Sequence, residues 1–312
     1  MSQAEILITE VDEYILHALA RFHYLTAAQA SRLLYPQLRD ENRYMQRRLK
    51  KLVDAGCVLR LGCLPVPSTG SAPYVYTLAR KGREHLKSWG ATVEEYYRPA
   101  EERRAASNRP FMLHRLATID VLIALDRLCQ QVPQVDCLQM LSERELKRTA
   151  VRVNVPPGPH SPTNSPRSVA VIPDAFFQVS VANGPAISIA VELDRGTEEQ
   201  KVWRDKIAAY SVWVDGPYQE AFDSDNLTIA VACPNERRQA VLMDWTRREL
   251  QSRKIDHFAE LFVFTSVSPV ELTPQRFFFG KVWREGVSAN PTNLLDAPVI
   301  KGDQKGVVYQ LA

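Results

Sequence analysis

Three carboxylates have the spacing of a chemical site. Asp174 follows a proline in IPDAFF, and Glu192 and Asp194 sit two apart in VELD. Positions two apart on a strand project to the same face, so Glu192 and Asp194 point together. Between the two segments lies Asn183-Gly184, the strongest short signal for a hairpin. Folding there brings the head of one strand beside the foot of the next. The three acids then make a hard-oxygen site suited to Mg²⁺ or Mn²⁺. Such an ion can polarise a phosphodiester and lower the pKa of a bound water.

The elements that must carry these acids read as follows. Phe111 begins a helix that is apolar nearly all round, the pattern of a buried helix. Val135–Leu141 is a strand, and VAVIPDAFFQVSV and AISIAVELD are the hairpin pair. Thr197 would cap the next helix, with Gln200 completing a capping box, and that helix runs to about Val214. A strand over 227–233, a helix from PNERRQ and a strand over 261–267 follow. Helix, three strands, helix, strand, helix, strand predicts an α/β sandwich around a mixed sheet. The Pro- and Ser-rich run 155–167 reads as an exposed loop between elements.

The N-terminal third has a different character. Thr9 with Asp12 and then Thr26 look like helix caps, and Pro36 closes the second helix. A third helix runs from about Asp40 to Ala55, stopped by Gly56, with Met45, Leu49, Leu52 and Val53 as its core stripe. CVLRLGCL, a loose loop and YVYTLA then form a wing, and RKGREHLKSW is a closing helix. Three short helices followed by a hairpin describe a winged helix-turn-helix, whose third helix enters the major groove of DNA. Asn42, Arg43, Gln46, Arg47, Lys50 and Lys51 are the candidate contacts, the cations for phosphates and Asn42 and Gln46 for base edges.

Composition bounds the rest. A chain of 312 residues holds two domains: 1–92 as the winged helix and 111–290 as the α/β domain. Residues 93–110 are a polar linker and 291–312 a tail. The net charge of +3 says nothing about partners until the charges are placed. Five scattered cysteines without CxxC argue against a disulfide framework or zinc site and favour a reducing cytoplasm. No apolar run approaches the ~20 residues of a membrane helix. HExxH, GxxxxGK and GxSxG are absent.

With these residues in view, Asp174 in IPD and Glu192 in VEL resemble the PD-(D/E)xK pattern of metal-dependent nucleases. HRLATIDV, PDAFF, ELDRGTE and KIAAY, in that order, resemble the replication-relaxation family of plasmid and mobile-element proteins over roughly residues 10–270. The resemblance implies an α+β chain, a winged helix followed by a PD-(D/E)xK nuclease-like domain, acting in replication or relaxation of such elements. Asp194 departs from the nuclease pattern, which has lysine there. With Trp203, Ile207, Tyr210 and Val214 facing the sheet, Lys206 borders the stripe while Lys201 lies on the far side. Lys206 and Tyr210 also share the Gln-x-x-x-Tyr spacing of RecB-like nucleases.

Two readings stay open. One is a protein that binds double-stranded DNA without robust cleavage, its nuclease-like domain serving to dimerise or to dock other replication proteins. The other is a Mg²⁺- or Mn²⁺-dependent endonuclease or nickase using Asp174, Glu192 and a displaced Lys206, with Tyr210 and Asp194 beside them. On the helix after Phe111, Asp120 is a further candidate acid.

Overall fold

A computed structural model describes residues 7–35, 41–63, 73–93, 99–158 and 165–298. The chain divides into two compact units at Ile123/Ala124.

In the first unit, α1 (Glu10–Phe22) opens with the expected box: the Thr9 N–H donates to Asp12 Oδ2 at 3.0 Å. β1 (Leu25–Thr26) leads into α2 (Ala27–Leu34), where Thr26 and Gln29 cap one another reciprocally. α3 (Glu41–Asp54) buries Met45, Leu49 and Leu52 completely. It ends at Gly56, whose φ of +74° lets the Gly56 and Cys57 N–H groups turn back onto Val53 and Leu52. β2 (Val58–Cys63) and β3 (Tyr74–Leu78) form the wing, in a sheet of order β1-β3-β2. α4 (Arg80–Ser88) packs against it, and Gly82 sits where a Cβ would fall 2.3 Å from the Cys57 carbonyl oxygen. This is a winged helix. The wing tip, 64–72, lies outside the described residues.

α5 (Pro99–Ser107) occupies half of the stretch expected as linker. Glu102 is buried there and accepts from Tyr24 and meets His23 Nε2 at 3.2 Å. α6 (Arg109–Gln131) follows, and the boundary between units falls inside it.

The second unit is a mixed sheet with helices. β4 (Val135–Ser142) and the short α7 (Glu143–Leu146) come first. β5 (Val151–Val155) and β6 (Arg167–Val171) make a separate two-stranded sheet, so the 155–167 loop joins a hairpin. β7 (Ala175–Val181) and β8 (Ile187–Leu193) pair antiparallel. The expected strand VAVIPDAFFQVSV is therefore broken at Ile172-Pro173-Asp174: Pro173 lacks a ladder donor, and the chain changes sheets there. The hairpin turn places its positive φ values at Ala182 (52°) and Asn183 (57°), one residue before Asn183-Gly184.

α8 (Gln200–Val214), α9 (Pro217–Phe222), β9 (Thr228–Ala232), α10 (Glu236–Arg253), a 3-10 turn and β10 (Phe262–Thr265) complete two parallel crossovers. α11 (Pro274–Phe279), β11 (Trp283–Glu285) and β12 (Pro291–Thr292) follow. The seven strands run β12-β11-β10-β9-β8-β7-β4. Residues 291–298, expected as tail, thus begin with an edge strand; 299–312 lie outside the described residues.

α8 and α10 pack together over the sheet, with Trp203, Ile207, Tyr210 and Trp213 buried in one core with Phe176, Ile229 and Phe264. The Trp203 indole N–H donates to Thr246 Oγ1 of α10 at 3.0 Å. Truncating so large a buried side chain costs about 3–5 kcal/mol. Of the stripe read from the sequence, Trp203, Ile207 and Tyr210 are buried in this core, while Val214 is only partly buried and Trp213 is buried in its stead; the stripe aims α8's bordering positions at the acids.

Candidate functional site

Asp174 sits in the break between β6 and β7 and is pinned to β8 from both of its ends. Its N–H donates to the Val191 carbonyl at 3.0 Å, and its Oδ2 accepts from the Leu193 N–H at 2.8 Å. Glu192 lies between those two partners on β8 and faces α8. One Glu192 oxygen takes the Lys206 ammonium at 2.8 Å and the other takes the Tyr210 hydroxyl at 2.5 Å. Lys206 also reaches Glu198 at 2.8 Å. Three expected residues, Glu192, Lys206 and Tyr210, are therefore in direct contact. The i, i+4 spacing of Lys206 and Tyr210 stacks them on the border of the buried stripe.

The electrostatics follow from burial. The Glu192 side chain is only 4% exposed. Burial pushes its carboxyl up to about 7, with Asp174 adding to the rise and Lys206 and Tyr210 opposing it. Lys206 moves the other way from a simple buried amine: burial would lower it, but Glu192, Glu198 and Asp174 reverse this and hold the ammonium charged. Burial and Glu192 together push the Tyr210 phenol well above its ordinary value.

Asp194 does not join this group. Its carboxylate takes Arg238 of α10, with Nε at 2.5 Å and Nη2 at 3.2 Å. Arg238 also donates to the Glu198 carbonyl at 2.6 Å and lies over the Trp245 ring. This clasp reshapes the chain before α8. Residues 194–198 are held by Asp194 and Arg238, and the helix starts at Gln200 with Glu199, not Thr197, in the capping position.

A three-carboxylate cage of Asp174, Glu192 and Asp194 is thus not assembled. Arg238 holds Asp194, and Lys206 and Tyr210 hold both Glu192 oxygens. Among the described residues no group of three or more His, Cys, Asp and Glu is placed to hold a metal ion. Mg²⁺ or Mn²⁺ binds through one or two carboxylates, with water completing six oxygens. Here Glu192 is already held by Lys206 and Tyr210 and Asp194 by Arg238, so the donor set does not fit such an ion. Asp120 lies in the other unit, where Gln29 donates to it at 3.0 Å and Arg32 pairs with it.

A cavity of about 510 Å³ opens between β6 and α8, lined by Ser168, Val171, Val202 and Lys206 with Glu192 and Tyr210 inside it. Arg167 and Lys206 both line it, with side chains 54% and 34% exposed, and Arg167 pairs with Asp205.

On α3 the side chains of Asn42, Arg43, Gln46 and Arg47 are exposed. Among the described residues none of the four makes a hydrogen bond or ion pair. Lys50 is exposed and pairs with Asp54 one turn on. Lys51 belongs to a different arrangement. Its ammonium takes Asp12 at 2.9 Å and the Leu7 carbonyl at 2.7 Å, and Arg48 takes the other Asp12 oxygen at 2.6 Å. Burial would raise Asp12, but the Thr9 N–H, Lys51 and Arg48 hold its carboxyl below the usual range. Lys51 therefore ties α3 to α1.

The sequence matches the profile of the replication-relaxation family over residues 16–223. The chain belongs to the replication-relaxation family. That span includes the winged helix from the middle of α1 onward, both strands of the acid-bearing hairpin and all of α8. No curated protein matches the chain. Among solved structures, Bacillus subtilis PadR in complex with operator DNA is similar at 19% identity and a TM-score of 0.23, over 40% of this chain and 76% of that one.

Sequence reasoning about this family member missed Arg238, Glu198 and Arg60. Arg238 lies 44 residues from Asp194, and nothing local marks the pair. Glu198 reads as an acid in a first helical turn, yet it is the second partner of Lys206. Arg60 of the wing is exposed and lies 4.6 Å from the centre of the Tyr74 ring, a cross-strand contact set by register.

Proposed function

We propose that the chain binds double-stranded DNA in replication or relaxation of a plasmid or mobile element, with α3 as the reading helix. Arg43, Arg47 and Lys50 meet phosphates, and Asn42 and Gln46 reach base edges. Lys51 is left out, since its charge is spent on Asp12. The observation that carries this reading is the set Asn42, Arg43, Gln46 and Arg47 on the third helix of a winged helix, solvated and without a side-chain partner among the described residues. Family membership supports the replication role. The nuclease-like unit then serves as a docking or dimerising module, for a second copy or for other replication proteins.

Anisotropy titrations of duplex DNA over a salt series test the reading. Arg43→Ala/Arg47→Ala weakens binding and lowers the salt slope by about one unit per lost phosphate contact. An unchanged affinity and slope would refute it.

A second reading, a metal-dependent endonuclease or nickase, is favoured by one observation: Lys206 stands beside Glu192 with Asp174 close by, although residue 194 is not lysine. Nicking of supercoiled plasmid by the wild type, lost in Asp174→Ala, would establish it.

A further inference from the structure

The acid group of the second unit is already supplied with a cation. Glu192 has one oxygen on the Lys206 ammonium and the other on the Tyr210 hydroxyl, and Lys206 bridges to Glu198 at the same 2.8 Å. The remaining acid of the expected trio, Asp194, is neutralised by Arg238. We propose that the Lys206 ammonium holds the place of the divalent cation that Asp174 and Glu192 would otherwise recruit, so that these two acids bind such an ion only when Lys206 is removed.

Access does not explain the exclusion. The cavity reaches Glu192, and Lys206 is one-third exposed within it. Occupancy does explain it. A Mg²⁺ or Mn²⁺ ion fills most of its six oxygen positions with water but must lie directly against the one or two carboxylates that hold it. Here both Glu192 oxygens are engaged, and an ion entering beside Lys206 would meet a like charge in a site of low dielectric. The ammonium has a further advantage: it is tethered, so it loses no translational freedom on binding. The inference concerns the second unit and stands apart from the DNA-binding reading.

Mn²⁺ alone is the probe, read by electron paramagnetic resonance of the free ion and by thermal melting. The decisive quantity is binding that depends on Glu192. Wild type and Glu192→Gln are expected to bind Mn²⁺ equally weakly, and neither should gain melting temperature at about 5 mM. Lys206→Met should bind at least about tenfold more tightly and melt higher with Mn²⁺, and Lys206→Met/Glu192→Gln should lose that gain. Wild-type binding that disappears in Glu192→Gln overturns the proposal. So does a folded Lys206→Met that binds no better than wild type. Should Lys206→Met be unfolded by circular dichroism, the comparison of wild type with Glu192→Gln decides alone, since Glu192-dependent binding either exists there or does not.

Discussion

The two units use their cations in opposite ways. On α3 of the first unit, Arg43 and Arg47 stand in solvent with no partner among the described residues, while Arg48 and Lys51, on the same helix, are turned onto Asp12. In the second unit the cations near the acids are paired: Lys206 with Glu192 and Glu198, and Arg238 with Asp194. A cation held by a buried internal anion gains little by exchanging it for an outside phosphate, whereas an exposed pair such as Lys50–Asp54 exchanges at small cost. The solvated face of α3 is open to a phosphate in this sense and the acid cluster of β8 is not. Basic content alone does not identify a binding surface; the internal partner of each cation does.

The comparison can be broken first at Arg238. Its side chain is 14% exposed and the Asp194 side chain 1% exposed, so Arg238→Ala strands a buried carboxylate. The expected loss is about 3–5 kcal/mol, measured by urea unfolding. A loss below about 1 kcal/mol would show that Asp194 relaxes to water and that the clasp is weak.

Glu192 offers a pH test. Its carboxyl is raised in the folded protein from 4.5 to about 7, so the native state binds the proton more tightly than the unfolded chain. The stability it contributes is fully present below about pH 4.5 and is lost as pH rises through about 7, on the order of 3 kcal/mol. Lys206, raised rather than lowered, stays charged across that window and leaves the slope to Glu192. Melting of wild type minus that of Glu192→Gln, followed from pH 4.5 to 7.5, should fall steadily. A flat difference would mean that the carboxylate is solvated.

Smaller effects sharpen the contrast within α3 itself. Lys51→Ala should cost roughly 1 kcal/mol, the value of a charged hydrogen bond discounted for a side chain about one-third exposed. Arg43→Ala/Arg47→Ala should change stability by less than about 0.5 kcal/mol while weakening DNA binding. If the double variant melts well below wild type, those arginines have internal roles and the solvated face loses its meaning.

Much of this arrangement can be read from the chain. The Thr9–Asp12 and Thr26–Gln29 boxes, the Gly56 stop and the order of helices and wing strands depend on contacts within a few residues. The same holds for α8: the Trp203-Ile207-Tyr210 stripe is helical periodicity, and it places Lys206 and Tyr210 next to whatever acid faces the helix. That acid is Glu192, as its position on the hairpin predicts.

Tertiary structure decided which charges meet. Whether Asp194 joins Glu192 or turns away depends on Arg238, brought in by the β8-α8-β9-α10 crossover from 44 residues along the chain. Lys51 and Arg43 differ little as sequence, but only Lys51 lies over Asp12, 39 residues earlier. Helix caps and periodicity arise from neighbours whose separation the backbone already limits. A charge takes the nearest opposite charge in space, and folding alone sets that distance.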